Sequence, residues 1–189
     1  MQLFATFEII HCREDAYPLS EYKVEERGRQ QSLAEAYKVE TEGNALEILD
    51  ITDIPLYRED IAKPESVKLL ADKVREADGL VLAVAEYNYS YAPAIKNALD
   101  WLSREKGDIL AGKTCAMMGA AGGMGSSRAQ YHLRQCCVYL DLRVLNKPEV
   151  FANAFSPAFE ARGDVAETEE GKMLREQIRG LMQVLTERT

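Results

Sequence analysis

Short apolar runs alternate along this chain with segments in which apolar residues recur every three or four positions. The short runs have the length of buried strands, and the periodic segments are typical of amphipathic helices. The pattern predicts strands over 3–10, 45–50, 80–85 and 114–119, and a short fifth strand within 143–151. It predicts helices over 25–39, 64–77, 93–103, 126–140 and 167–187.

The apolar positions also indicate which faces are buried. The segment 80–85 is apolar at every position, as expected of a strand covered on both faces. In the helix over 64–77, Pro64 suits the first turn, and the apolar stripe consists of Val67, Leu70, Val74 and Ala77. The last helix has a predicted inner face of Met173, Leu174, Ile178, Leu181, Met182 and Leu185.

Strands that alternate with helices predict a parallel sheet with right-handed crossovers and helices on both faces. Five such units match the count of a flavodoxin-like fold. We therefore expect an α/β, flavodoxin-like three-layer sandwich with a five-stranded parallel sheet in the order 2-1-3-4-5. The length of 189 residues suits a single domain over the whole chain, 1–189.

Charge and hydropathy exclude several classes of function. The formal net charge of −8 argues against nucleic acid, because binding to phosphates requires a clustered positive surface. No stretch approaches the roughly 20 apolar residues of a membrane span, and residues 1–10 lack the basic start of a signal peptide. We expect a cytoplasmic protein with neither a membrane nor a nucleic acid as partner.

The cysteines support the same compartment. The chain contains Cys12, Cys115, Cys136 and Cys137, none of them in a C-x-x-C pair. Two lie within predicted buried elements, which indicates a reduced protein with cysteines in its core. For the adjacent pair at 136–137 we favour ordinary helix packing over redox or metal chemistry, and we predict no metal site.

Ligands of a doubly wound sheet bind beyond the carboxyl ends of the strands. Three segments leave strands at that edge: the one from His11 onward, 85–93 and 119–127. In the second, Glu86, Tyr87 and Asn88 are poor residues for continuing a buried strand. They suit a loop that offers backbone groups to a flat polar ligand beside an aromatic ring. The alternative is a plain turn into the next helix, with Asn88 or Ser90 as its cap.

The third segment is rich in glycine. Its sequence GAAGGMGSS, residues 119–127, places four glycines within seven positions before a predicted helix. Glycines let a backbone approach a ligand closely, and the free N–H groups of a helix start favour anions. The alternative is a loop that only bends the chain. The segment follows a late strand and has no Gly-Lys-Ser/Thr, so it is neither a Rossmann fingerprint nor a Walker loop.

Several longer motifs carry a resemblance to a known family. They are AEYNYS at 85–90, KNALDWLSR at 96–104, DIPLY at 53–57, RAQYHLRQ at 128–135 and NKPE at 146–149. In this order, over roughly residues 44 to 151, they closely resemble the signature of the NADPH-dependent FMN reductase family. The similarity is greatest to its chromate, quinone and azo-dye reductase branch, which has a flavodoxin-like fold.

The resemblance implies FMN as cofactor and NADPH or NADH as co-substrate. It places the isoalloxazine ring against Glu86, Tyr87, Asn88, Tyr89 and Ser90, mainly through main-chain groups, and beside Gly119, Ala120, Gly122 and Gly123. Hydride would pass from NAD(P)H to the flavin, and then electrons to quinones, azo compounds, chromate or free flavin. The cofactor carries the chemistry, so we predict no catalytic side chain.

The resemblance also bears on residues outside the ring site. Arg128, Tyr131 and Glu149 match positions of a polar subunit contact in the tetrameric branch, which implies a homo-oligomer, a dimer or a homotetramer. The alternative is separate solvated side chains. We expect His132 to be structural, and Trp101 and Arg104 to serve in core packing and a local ion pair.

One segment departs from the family pattern. The family cradles the FMN phosphate with Gly-Ser-x-Arg-x-x-Ser-x-Asn after strand one, and here that strand runs into HCREDAYPLS at 11–20. The nearest substitute is Arg27, Arg29 and Ser32, which otherwise form an exposed helix start. Ala85 also replaces the usual proline.

Two other functions stay open, the first of them because of this departure. One is a non-catalytic flavodoxin-like subunit with weakened FMN binding, because the usual phosphate loop is absent. The other is a flavodoxin that carries single electrons, against which the resemblance and the predicted oligomer argue.

Overall fold

A computed structural model of the chain describes residues 3–8, 45–51, 53–161 and 164–189. Its strands are β1 (Leu3–Glu8), β2 (Ala45–Asp50), β3 (Gly79–Ala83), β4 (Glu86–Tyr87), β5 (Ser90–Tyr91), β6 (Thr114–Ala121), β7 (Arg143–Val144) and β8 (Val150–Asn153). Its helices are α1 (Glu65–Glu76), α2 (Pro93–Leu102), α3 (Ser127–Tyr139) and α4 (Glu169–Arg188). The predicted helix over 25–39, His11, Cys12 and the phosphate-site candidates Arg27, Arg29 and Ser32 lie outside the described residues.

The main sheet is parallel, with the order β2-β1-β3-β6-β7, and β8 also pairs with β6. The predicted fifth strand is therefore two strands: β7 lies beside the start of β6, where Thr114 pairs with Arg143, and β8 lies beside its end, where Met118 pairs with Val150. Pro148 stands between them. Because proline has no N–H to donate, a continuous ladder through this position is disfavoured.

Helices cover both faces of the sheet. Leu80 and Leu82 of β3 pack in one buried cluster with residues of α1, α2 and α3. Val81, between them, packs in a second cluster with the inner face of α4. All three side chains are fully buried, which confirms the prediction that this strand is covered on both sides.

The last helix corrects one predicted core position. Leu174, Ile178, Leu181, Met182 and Leu185 are buried as predicted, but Met173 is 56% exposed. Successive residues of a helix are about 100° apart. With Leu174 and Ile178 facing the sheet, the side chain at 173 is turned toward solvent.

Most element ends lie within two residues of their predicted positions. Pro93 begins α2 as predicted, whereas Pro64 precedes α1 as its N-cap residue and does not lie in the first turn. Strand β3 ends at Ala83, and β6 continues to Ala121. Among the helices that the structure describes, none combines the length and apolarity needed to cross a membrane.

The two buried cysteines yield a prediction about thiol reactivity. Cys115 and Cys137 are free and buried, and Cys136 is free and half-buried. Burial raises the pKa of the Cys137 thiol to about 12 and that of Cys115 well above its usual range. Because the thiolate is the reactive form, we expect iodoacetamide at pH 8 to leave both unlabelled in the native protein.

Peptide mass mapping measures this labelling residue by residue. The same treatment in guanidinium is the control, since unfolding exposes both thiols and we expect full labelling there. Labelling of Cys115 or Cys137 in the native protein as fast as in guanidinium would contradict the prediction.

Candidate cofactor site

Just beyond the end of β3 the chain forms a tight hairpin. Strands β4 and β5 pair antiparallel, with Glu86 opposite Tyr91 and Tyr87 opposite Ser90. The two turn residues, Asn88 and Tyr89, have φ values of 50° and 66°. A two-residue turn with both φ values positive matches the twist of its strands, and Asn is common at the first of these positions. Tyr89 is strained at the second, which glycine usually occupies.

The hairpin differs from both sequence hypotheses for this segment. It is a short ladder rather than an irregular loop, and it does not cap the following helix. The N-cap residue of α2 is Ala92, which makes no side-chain capping bond. The hypothesis of a plain turn capped by Asn88 or Ser90 is therefore wrong.

The hairpin is fastened to the first turn of α3. One carboxylate oxygen of Glu86, Oε2, accepts the backbone N–H of Ala129 at 3.2 Å. The other, Oε1, accepts from Nη1 of Arg128 at 3.4 Å. The guanidinium carbon of Arg128 also lies 4.0 Å from the ring centroid of Tyr89, which is a cation–π distance. The strained turn is held by contacts with one helix.

Two further contacts join the hairpin to later turns of α3. Ser90 Oγ lies 3.3 Å from Nδ1 of His132. The hydroxyl of Tyr91 lies 3.2 Å from Sγ of Cys136, and this contact raises the pKa of Tyr91 to about 12. Side chains of β4 and β5 thus meet α3 over about two and a half turns.

The glycine-rich segment continues β6 and leads into the same helix. A Cβ at Gly119 would lie 2.1 Å from Ser126 Oγ and 2.2 Å from the Val84 carbonyl oxygen. Gly125 has a φ of 57°, and a Cβ there would lie 2.8 Å from the Phe151 backbone. Only glycine fits at these two positions, so the segment packs tightly against the ends of β3 and β8.

Among the described residues, nothing crowds the middle of this segment. At Gly122 and Gly123, no described atom beyond the glycine and its chain neighbours lies within 4 Å of the place that a Cβ would occupy. Strands β3 and β6 are adjacent and parallel, so the hairpin and the glycine-rich segment leave the same edge of the sheet. The arrangement places backbone groups and an aromatic residue beside space that no described residue fills.

This arrangement fits the ring end of FMN. A flat ring with carbonyl and N–H groups along its rim is bound well by backbone donors and acceptors, and small residues let it approach closely. The predicted residues Glu86–Ser90 and Gly119–Gly123 are brought together at this edge. The residues predicted to hold the phosphate lie outside the described residues.

A loop that the sequence prediction did not assign to a function is anchored beside α2. Nδ2 of Asn97 donates to the carbonyl oxygens of Ile54 and Pro55, each at 3.1 Å, and its Oδ1 accepts the N–H of Tyr57 at 2.7 Å. Nε1 of Trp101 donates to the same Pro55 oxygen at 2.7 Å. The motif at 96–104 therefore holds the motif at 53–57 in place.

Comparison with known proteins identifies the family. The sequence profile described as NADPH-dependent FMN reductase matches residues 23–156. This chain belongs to that family. An NAD(P)H-dependent FMN reductase of Pseudomonas aeruginosa is 42% identical over 154 residues, which cover 79% of this chain and 83% of that protein. An NAD(P)H:quinone oxidoreductase of Solanum tuberosum is 40% identical over 155 residues, 79% of each chain.

Solved structures agree on the fold. The flavoenzyme NAD(P)H:(acceptor) oxidoreductase FerB of Paracoccus denitrificans superposes with a TM-score of 0.79 at 24% identity, over 100% of this chain and 99% of that one. A flavodoxin from the domain Archaea has a TM-score of 0.56 at 12% identity, over 100% and 99%. The flavodoxin-like α/β fold is confirmed.

Membership of the FMN reductase family confirms the broad functional prediction. The chain is an oxidoreductase of the FMN reductase and quinone reductase type, with FMN as cofactor and NAD(P)H as co-substrate. The family does not assign roles to individual residues of this chain. The placements of Glu86–Ser90 and Gly119–Gly123 at the ring therefore stay predictions.

The three residues predicted at a subunit contact form two separate groups within the FMN reductase chain. Arg128 pairs with Glu86, whereas Tyr131 donates from its hydroxyl to Oε1 of Glu149 at 2.9 Å. Lys147 bonds the other oxygen of Glu149, and these two partners hold the pKa of that carboxyl below its usual range. Tyr131 remains 55% exposed, and the subunit contact stays a prediction.

The two residues predicted to have structural roles are placed accordingly. Trp101 is buried and packs edge-on against Tyr57 at 5.0 Å between ring centroids. Arg104 lies over the Tyr57 ring at 5.6 Å and pairs with Glu59 at 3.8 Å. The bonds that the side chains of Glu86 and Asn97 make to other segments were not predicted from the sequence. No local signal marked them, because each of the two residues bonds a segment about forty residues away.

Proposed function

We propose that this chain binds FMN between the hairpin at Glu86–Tyr91 and the segment Gly119–Gly125, and uses it to pass electrons from NAD(P)H to quinones. The observation that carries the proposal is the placement of these two segments at one edge of the sheet, both joined to α3. A quinone oxidoreductase at 40% identity supports quinones as the acceptor class.

The chain's own residues would bind and orient the reactants. When bound, FMN supplies hydride chemistry, accepting two electrons from a nicotinamide and releasing them to an oxidant. Backbone groups of Tyr87–Tyr89 would hold the rim of the ring, and the open space at Gly122 and Gly123 would admit the nicotinamide or oxidant. No side chain is required to act as acid or base.

The open space supports a wider range of acceptors. A site bounded by glycines rather than by bulky side chains imposes little shape selection on one face of the ring. We therefore include azo compounds, chromate and free flavin among the acceptors, in addition to quinones. Arg27, Arg29 and Ser32 are the proposed phosphate ligands.

Absorption spectroscopy and a turnover assay test the function. We expect the protein, after incubation with excess FMN and desalting, to retain a visible flavin band and to oxidise NADPH or NADH with benzoquinone. Azo dye, chromate and FMN then test the other acceptors in the same assay. Loss of FMN on desalting together with no turnover would indicate the non-catalytic subunit with weakened FMN binding, and a stable semiquinone on titration would indicate a one-electron carrier.

We also propose a homo-oligomer, a dimer or a homotetramer, with Arg128, Tyr131 and Glu149 at a contact between subunits. The exposed ring of Tyr131 and the neighbouring exposed Val138 and Tyr139 on α3 support a covered helix face. Analytical ultracentrifugation measures the mass, and a monomer at micromolar concentration would refute this proposal.

A single domain over 1–189 and a cytoplasmic location complete the proposal. The alignment of the whole chain with 99% of the FerB chain supports one domain. The three cysteines of the described residues are free thiols, which supports a reducing compartment. Limited proteolysis into two stable fragments, or recovery of the protein outside the cytoplasmic fraction, would contradict these two points.

A further inference from the structure

The amino end of α3 is capped by a side chain from another segment. Ser126 occupies the N-cap position, but its Oγ accepts from Nε2 of Gln130 at 2.9 Å and makes no capping bond. The backbone N–H of Ala129 is instead accepted by Glu86, 43 residues earlier in the chain. The first turn of a helix leaves N–H groups without partners in the helix, so the hairpin completes this helix end.

The Glu86 carboxylate is also placed to balance charge. Its side chain is only 9% exposed, and a buried carboxylate is stable only with partners for its charge. Its partners are the guanidinium of Arg128 and the positive end of the α3 dipole. Arg128 in turn lies over the ring of Tyr89, the strained residue of the turn.

We propose that Glu86 is a positioning residue: its carboxylate caps α3 and pairs with Arg128, and so fixes the hairpin relative to the glycine-rich segment and offsets positive charge beside the flavin ring. The inference rests on the proposed function, and it assigns the Glu86 side chain a role distinct from the main-chain contacts of the same residue. The hairpin and the glycine-rich segment would hold the ring, and both are attached to α3. The Glu86 carboxylate therefore sets the distance between these two segments.

The two roles of Glu86 are separable by substitution. Glu86→Gln keeps the size of the side chain and an oxygen that can accept from Ala129, but removes the negative charge. Glu86→Ala removes both the cap and the charge. Glu76→Gln is the matched control, because it removes one exposed acidic charge at the end of α1, near the opposite edge of the sheet.

Three measurements are made on each variant of the full chain: the affinity for FMN, the two-electron midpoint potential, and hydrogen exchange at the Ala129 amide. For Glu86→Gln we expect FMN affinity within threefold of wild type. At fixed potential we expect the ratio of reduced to oxidised flavin to rise about tenfold, a positive shift of about 30 mV. Loss of a nearby negative charge favours the reduced, more anionic flavin.

For Glu86→Ala we expect the Ala129 amide to exchange at least tenfold faster. We expect FMN affinity to fall roughly tenfold, because a tenfold change corresponds to the typical free-energy cost of losing one helix cap. The affinity falls because a smaller fraction of molecules holds the hairpin in its binding position. Glu76→Gln should leave all three measurements at wild-type values.

The outcomes separate this inference from the proposed function. If Glu86→Gln shifts the potential no more than Glu76→Gln does, the charge role is refuted. If Glu86→Ala leaves Ala129 exchange and FMN affinity unchanged, the positioning role is refuted. If the wild-type chain binds no FMN, the proposed function fails, and the Ala129 exchange of Glu86→Ala still decides whether the hairpin caps α3.

Discussion

Replacing Gly119 with alanine will abolish tight FMN binding and strongly destabilise the chain. The new methyl group would lie 2.1 Å from Ser126 Oγ and 2.2 Å from the Val84 carbonyl oxygen. Val84 is itself bonded through its N–H to the Met118 carbonyl oxygen at 2.8 Å, so the backbone cannot retreat without breaking the sheet at this edge. We expect the free energy of unfolding to fall by about 3 kcal/mol, as for an overpacked core.

The effect on FMN follows from the same clash. Moving the end of β3 away from the end of β6 separates the hairpin from the glycine-rich segment. We expect FMN affinity, measured by quenching of flavin fluorescence, to fall about a hundredfold, which corresponds to about 2.7 kcal/mol. Guanidinium unfolding curves give the stability.

Two other glycines provide controls for Gly119→Ala. Gly122→Ala lies in the same segment but meets no described atom within 4 Å, so we expect no loss of stability. Gly180→Ala lies in α4, where no described atom beyond its own helix backbone lies within 4 Å of the added methyl group, and we expect about 1 kcal/mol of added stability with unchanged FMN affinity. A Gly119→Ala protein as stable as Gly122→Ala would show that the close packing is wrong.

Replacing Asn97 with alanine is expected to have the second large effect. The Asn97 side chain is 8% exposed and bonds two carbonyl oxygens and one N–H of the 54–57 loop. Its loss leaves the Ile54 oxygen and the Tyr57 N–H without this partner, whereas the Pro55 oxygen keeps its bond from Trp101. Each group left unpaired costs about 1–3 kcal/mol when water cannot replace the bond. We expect the free energy of unfolding to fall by about 3 kcal/mol and the loop to become a protease-sensitive site.

The control for Asn97→Ala is Asn146→Ala. Asn146 is exposed, and its side chain accepts a long hydrogen bond from Nη1 of Arg134 at 3.4 Å. We expect its substitution to change stability by no more than about 0.5 kcal/mol. Equal effects of the two substitutions in urea unfolding would contradict a structural role for Asn97.

The candidate site was partly predictable because the positions of parallel strand ends are predictable. Apolar runs located β3 and β6, and parallel strands bring their carboxyl ends to one edge. The approximate positions of the hairpin and the glycine-rich segment followed from this. The hairpin itself was not predicted, because a two-residue turn with Asn88 and Tyr89 lacks the glycine that usually marks such a turn.

What the sequence by itself determined was the succession of elements and the direction in which most of them face the core. Those properties depend on local spacing: period two or continuous apolarity for strands, and period 3.6 for helices. Met173 is an exception, because it is apolar and adjacent to the inner face of α4 but is exposed. Hydrophobicity alone therefore does not show that a residue faces the core.

What only the tertiary structure decided was which distant residues meet. The bonds of Glu86 to Ala129 and of Asn97 to Ile54 each join positions 43 residues apart, and nothing in either local stretch specifies its partner. The division of the fifth strand into β7 and β8 depends on both levels, because Pro148 interrupts the ladder and β6 is long enough for each piece to pair with it. Such pairings arise when whole elements pack, because a buried polar group is stable only where another element supplies its partner.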